Sequence, residues 1–119
     1  MTSVGASNLH VGQVLEIAFS SFVPRITFNS ERELTVEILS GDNAGFTDTV
    51  DYEAIGLRYG FVLLSWQEHI GSTIVHVLDL VALRAHTFVT PAKGGFMRLD
   101  GRIKISRADA EQKQVVRAI

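Results

Sequence analysis

The sequence predicts an all-β fold, a single antiparallel up-and-down β-barrel of about eight strands spanning residues 1–119. Three observations predict it. Apolar residues recur at period two along most of the chain, cut by Gly, Asn, Asp and Pro every eight to twelve positions. The connections are too short to hold a crossover helix, so neighbouring strands run antiparallel. A meander of this many short hairpins can close on itself and leave no exposed sheet edge.

The first strand is read over 11–20, with Gly12 near its start. The second spans 23–28, and Pro24 sits at its beginning, where a missing backbone donor is tolerated. Asn29, Ser30 and Glu31 turn the chain into 33–39, which alternates cleanly and is expected to be half-buried. Residues 41–45, Gly-Asp-Asn-Ala-Gly, form the strongest loop in the chain. Strands over 46–55, 59–68, 73–80, 84–90 and 96–106 complete the set. The connections at 69–71, 80–83 and 91–94 fit hairpins. The tail differs. Ser106-Arg107-Ala108-Asp109 has the form of a helix capping box, and Ala108, Gln112, Val115 and Ile119 fall near one helical face. Two readings of 106–119 stay open, a short C-terminal helix packed on the barrel or a continuation of the last strand.

Composition narrows the function classes. The chain carries 11 Lys+Arg against 13 Asp+Glu and no Cys. A disulfide framework, a thiolate zinc site and a Cys nucleophile are thereby excluded. The densest basic group (Arg98, Arg102, Lys104, Arg107) is interrupted by Asp100, so nucleic acid is not an expected partner. No apolar run approaches the roughly 20 residues of a membrane-spanning helix, and residues 1–10 lack the pattern of a signal peptide. A cytoplasmic protein without a membrane partner is expected. Residues 59–66 carry large apolar side chains at both parities: Tyr59, Phe61 and Leu63 on one, Val62, Leu64 and Trp66 on the other. A wet outer face would alternate with polar residues. The outside is therefore expected to be covered by the tail or a second subunit, and a homodimer is expected.

Candidate chemistry lies in polar residues within apolar strands, because burying such a group is costly without a partner. A three-residue loop 69–71, with Gly71 at positive φ, faces Glu68 to Ser72, Trp66 to Ile74 and Leu64 to His76. A two-residue loop would pair Glu68 with Thr73 and turn His76 to the other face. The first register is favoured because Gly71 stands where a left-handed residue is needed. It places Glu68, Trp66 and His76 on one surface, and His86 on the next strand is read as joining them. Two imidazoles and a carboxylate around a small cavity suit proton transfer. A Glu beside Trp66 in a dry pocket would have a raised pKa. The plainer alternative makes His76 a satisfied core histidine and Glu68 a rim carboxylate bonded to backbone or to an Arg.

Other constellations are weaker. His76, His86 and Glu68 include no close-spaced ligand pair, so no metal and no cofactor is expected. Ser65 and Asp79 take the parity opposite to His76, which argues against a triad, and Asp79 is expected to bond turn amides. No Gly-rich run leads into a helix with Lys, so there is no phosphate loop. Of Tyr52 and Glu53, only one can reach the lumen. Arg25, Arg84 and Arg98 are candidate counter-ions for a carboxylate ligand. The expected lumen site comprises Leu64, Trp66, Glu68, Ile74, His76, His86 and Phe88.

Several of these stretches carry a family resemblance. Residues 51–58 (Asp-Tyr-Glu-Ala-Ile-Gly-Leu-Arg), 60–68 (Gly-Phe-Val-Leu-Leu-Ser-Trp-Gln-Glu) and 71–79 (Gly-Ser-Thr-Ile-Val-His-Val-Leu-Asp) resemble the MoaF family. So do 87–91 (Thr-Phe-Val-Thr-Pro) and 95–101 (Gly-Phe-Met-Arg-Leu-Asp-Gly). The family is named for a gene associated with molybdenum-cofactor biosynthesis. The resemblance implies a lipocalin-like (calycin) barrel. A fainter similarity links the Ser65-Trp66-Gln67-Glu68 strand and its Gly-x-Thr turn to bacterial phenolic acid decarboxylases, where that Glu is the lumen acid. The similarity implies an inward Glu68. Those enzymes use an early tyrosine pair and a carboxylate-binding arginine. This chain has Glu16-Ile17-Ala18-Phe19 and no Arg over 45–49 at those places, which argues against their decarboxylation.

The expected function is binding of a small, partly apolar molecule in the lumen. The alternatives are a lyase, isomerase or cyclase using Glu68 with His76 or His86, and a filled barrel acting as a structural subunit.

Overall fold

The computed structural model describes residues 9–106 and 113–118. Eight strands follow in order: β1 (Val14–Ala18), β2 (Phe22–Phe28), β3 (Glu33–Gly41), β4 (Thr47–Arg58), β5 (Phe61–Gln67), β6 (Thr73–Asp79), β7 (Arg84–Thr90) and β8 (Met97–Ser106). Each pairs antiparallel with its sequence neighbour, and β1 pairs with β8 from Val14↔Ser106 to Ala18↔Arg102. The result is a closed up-and-down barrel, as the alternation and short connections predict.

A ninth strand, β9 (Arg117–Ala118), was not legible in the sequence. It pairs parallel with β4 through Ile55↔Arg117 and Gly56↔Ala118. Its position has a simple cause. β4 has 12 residues, and β3 pairs only with its first part, Glu37↔Thr47 to Glu33↔Asp51. The rest of that edge would expose unpaired backbone, and β9 occupies part of it. Arg117 reinforces the join by an exposed ion pair with Glu53 at 3.2 Å. No helix occurs among the described residues, and 113–118 contain a bridge and a strand rather than a helix. The helical reading of 107–112 lies outside the described residues.

Inward residues of all eight strands form one core, with Leu15, Ile17, Ile26, Phe28, Leu34, Val62, Leu64 and Leu78 essentially inaccessible. Tyr52 is the lumen member of its pair: it is buried and edge-on to Phe28, and its hydroxyl donates to the Ser30 carbonyl at 2.8 Å. Burial raises its phenol pKa. Glu53 points outward.

The two ends of the barrel differ. At the end where β1 begins, Leu9, Val11, Leu80 and Val115 fill the opening. The segments that bring them there are joined by backbone bonds from Val11 N to Lys113 O at 2.9 Å and from Val115 N to Leu9 O at 3.2 Å. Asp79 organises the adjacent turn as expected, accepting from the Val81 and Ala82 amides at 3.0 and 2.9 Å. The opposite end carries the loops at 19–21, 42–46, 68–72 and 91–96 and stays open. On the outer face, Phe61, Leu63, Val75 and Val77 are half-buried within the single chain.

Two glycines in the β3–β4 hairpin separate backbone conformation from space. Gly41 and Gly45 have φ of 85° and 96°, both left-handed. A Cβ on Gly41 would lie 2.2 Å from the Ser21 carbonyl oxygen, whereas one on Gly45 would meet nothing within 4 Å. Gly41→Ala therefore combines strain with a backbone clash and is expected to cost about 2–4 kcal/mol. Gly45→Ala is expected to cost only about 1 kcal/mol. Urea unfolding of both variants measures the difference, and equal losses would show that the clash at Gly41 is relieved elsewhere.

Candidate functional site

The β5–β6 hairpin builds the site. Gly71 takes φ 104°, and its amide closes the turn on the Glu68 carbonyl at 2.8 Å. The Glu68 amide donates to the Ser72 carbonyl at 2.8 Å. The register then runs Gln67↔Thr73, Trp66↔Ile74 and Leu64↔His76. This is the three-residue-loop register, and it turns Leu64, Trp66, Ile74 and His76 inward.

His76 is 2% exposed and lies beside the indole of Trp66, with ring centroids 5.1 Å apart. Its Nδ1 shares a 2.7 Å hydrogen bond with Thr87 Oγ1, itself buried on β7. Desolvation lowers the imidazole pKa from 6.5 to about 3, so the ring is neutral at physiological pH. Trp66 Nε1 donates to Glu68 Oε2 at 3.2 Å. The Glu68 pKa is raised: burial pushes it up, the indole bond partly opposes this, and the nearby charge of Asp48 adds to it. Asp48 is itself tied to the hairpin, accepting from the His69 amide at 2.8 Å and pairing with His69 Nδ1 at 2.8 Å. Burial works to raise the Asp48 pKa, but the His69 bonds outweigh it and the net shift is downward.

Above these residues the open end holds a cavity of about 400 Å3. Its walls include Phe22, Ile38, Phe46, Ile74, Val89 and Met97, with Asp42, Glu68 and Ser72 among the polar members. Beneath it lies a void of about 40 Å3, floored by Trp66, His76 and Thr87 and sharing Phe22, Ile38, Glu68, Ile74 and Val89 with the mouth. The lumen is thus neither solid nor a through-channel. It is filled by Leu9, Val11, Leu80 and Val115 at the closed end, where a separate cleft of about 440 Å3 runs beside β4 and β9 between Arg32, Tyr52, Val115 and Arg117, and it is cupped at the open one.

Two expected lumen residues lie elsewhere. The β6–β7 register pairs His76 with Thr87, which turns Ala85, Thr87 and Val89 inward and His86 and Phe88 outward. His86 pairs on the surface with Asp100 at 2.9 Å, and Phe88 stacks on Phe96 at 6.1 Å. Both parities of β7 carry apolar side chains, so the strand itself does not reveal its inward face. The strand arginines are also outside: Arg25 pairs with Glu37 at 2.7 Å, Arg84 is exposed, and Arg98 lies over the Phe96 ring at 4.9 Å. No group of three or more His, Cys, Asp or Glu among the described residues has metal-site geometry. The mouth residues Phe22, Ile38, Phe46 and Met97 escaped the sequence reading, although they flank alternate hairpin loops, which an up-and-down meander gathers at one end.

The buried imidazole has a consequence for acid stability. An unfolded histidine binds a proton below pH 6.5, whereas His76 in the fold does so only near pH 3. The unfolded state therefore gains protons first, and stability falls as pH drops below 6.5, by up to about 1.4 kcal/mol per pH unit from this residue. Urea unfolding at pH 7, 6, 5 and 4 measures the slope. His76→Gln is expected to flatten it, and an unchanged slope would assign the effect to other groups.

The comparisons with known proteins agree with this architecture. A crystal structure from Burkholderia vietnamiensis, described as a "putative beta-lactamase", superposes with a TM-score of 0.77 at 28% identity. The match covers 81% of this chain and 94% of that one. Comparison with curated proteins gives no significant match. The family model described as MoaF-like matches residues 11–104, which contain all eight barrel strands except the last two residues of β8. The chain belongs to the MoaF-like family.

Proposed function

We propose that this protein binds a small, largely apolar molecule in the cup at the open end of the barrel. The observation that carries the reading is the cavity of about 400 Å3 with apolar walls and a few polar members. That volume and lining fall in the range of small-molecule sites. The filled opposite end supports it further, because it closes the lumen at the base and gives the cup a floor. Trp66 and His76 extend the floor inward, and Glu68 stands at the junction of cup and floor. Leu64 packs in the core beneath.

An acid/base pair of Glu68 with His76 or His86 has less support. His86 is outside, and His76 is neutral with Nδ1 committed to Thr87. The neighbour's description as a β-lactamase also finds little echo. Among the described residues, neither mouth serine, Ser21 or Ser72, makes a side-chain hydrogen bond to a base.

The neutral dye N-phenyl-1-naphthylamine tests the reading. Its emission is expected to rise on binding with sub-millimolar affinity. Val89→Phe, which fills the space shared by cup and floor, is expected to weaken binding by tenfold or more while urea unfolding stays within about 1.5 kcal/mol of the parent. Absence of dye binding, together with no thermal shift across a panel of small apolar compounds, would overturn it.

A further inference from the structure

The charge of the cup's lining narrows the class of ligand, a selectivity that rests on the cup being the binding site proposed for it. The titratable residues among the lining side chains are Asp42 and Glu68, both acids. Among the described residues, Lys, Arg and His are absent from that lining, and the strand arginines face outward. Lys93 is exposed on the loop after β7 and is not part of the wall. His69, on the mouth turn, is held by Asp48, and His76 lies below the cup in the void that Glu68 also lines.

We propose that the cup selects molecules with an apolar body and a cationic head, a protonated amine, which pairs with Glu68 at the base of the mouth, and that it rejects the corresponding carboxylates. Three further observations support this. Trp66 Nε1 bonds only Oε2 of Glu68, and Oε1 receives no hydrogen bond among the described residues. The indole thus orients the carboxyl and leaves one oxygen free for a donor. The partly buried carboxylate has no counter-ion in the cup, so an ammonium group would supply the missing charge. Phe22 and Phe46 add aromatic rings to the mouth, and ring quadrupoles favour cations over anions. An anionic head would meet Glu68 and Asp42 without a compensating cation.

Displacement of bound N-phenyl-1-naphthylamine by hexylamine, hexanol and hexanoate, equal in length and different in charge, tests the proposal at pH 7.5. The expected order is amine, then alcohol, then acid, with at least tenfold between the extremes. Glu68→Gln is expected to reduce the amine-to-acid ratio to threefold or less. Glu33→Gln, an exposed acid at the closed end, is expected to leave the ratio as in the parent. Dye binding with acid displacing as well as amine, or a ratio unchanged in Glu68→Gln, would overturn the selectivity while leaving the cup itself intact. Failure of the dye to bind at all would instead remove the proposed function on which the selectivity rests.

Discussion

The β5–β6 turn decides what this barrel encloses. Side chains alternate across a strand at period two, so a slip of one residue exchanges the entire inner and outer sets. Gly71, in a left-handed conformation that L side chains rarely adopt, fixes the three-residue loop. From that single choice follow the inward Trp66, Ile74 and His76 and the placement of Glu68 at the mouth. The Asp48–His69 contact clamps the same turn to β4 from the side. The β6–β7 register then carries the choice onward, placing Thr87 where it can bond His76.

The interior divides into two unequal jobs. Around Phe28, Leu34, Leu9 and Val115 the side chains interlock, and that half behaves as an ordinary protein core. Toward the other end the strands continue, but Phe22, Ile38, Phe46, Ile74 and Met97 stand around a space instead of meeting across it, leaving the cup. The His76–Thr87 pair sits near the boundary. Both partners are buried, and no buried side-chain nitrogen or oxygen among the described residues lacks a hydrogen bond. A polar pair satisfied internally is compatible with an apolar floor, where an unsatisfied one would be strongly disfavoured.

Much of the fold could be read from residue order because the barrel is a meander: alternation, short loops and strand count together leave few topologies. The Glu68–Ser72 hairpin could be read because a glycine stood at the one position that distinguishes its two registers. β7 could not. Its loop, 80–83, ends in Leu83 at φ 58°, a left-handed non-glycine that no sequence rule anticipates. With the register open, the bulky His86 and Phe88 looked like lumen residues, while the smaller Ala85, Thr87 and Val89 proved to be the inner set. β9 is two residues long and parallel, too short to leave a periodic signal. The mouth is a property of four loops at once, and a strand-by-strand reading does not assemble it.

The bonding between the segments at 9–11 and 113–115 has a practical side. Both described ends of the chain leave from the base of the barrel, diametrically away from the cup. A linker spliced next to Leu9 or Ala118 would hold the molecule by its foot, like a goblet. Backbone entering at Leu9 and leaving at Ala118 does so on the side away from the loops at 19–21, 42–46, 68–72 and 91–96, so bulk joined at those two points is kept off the rim.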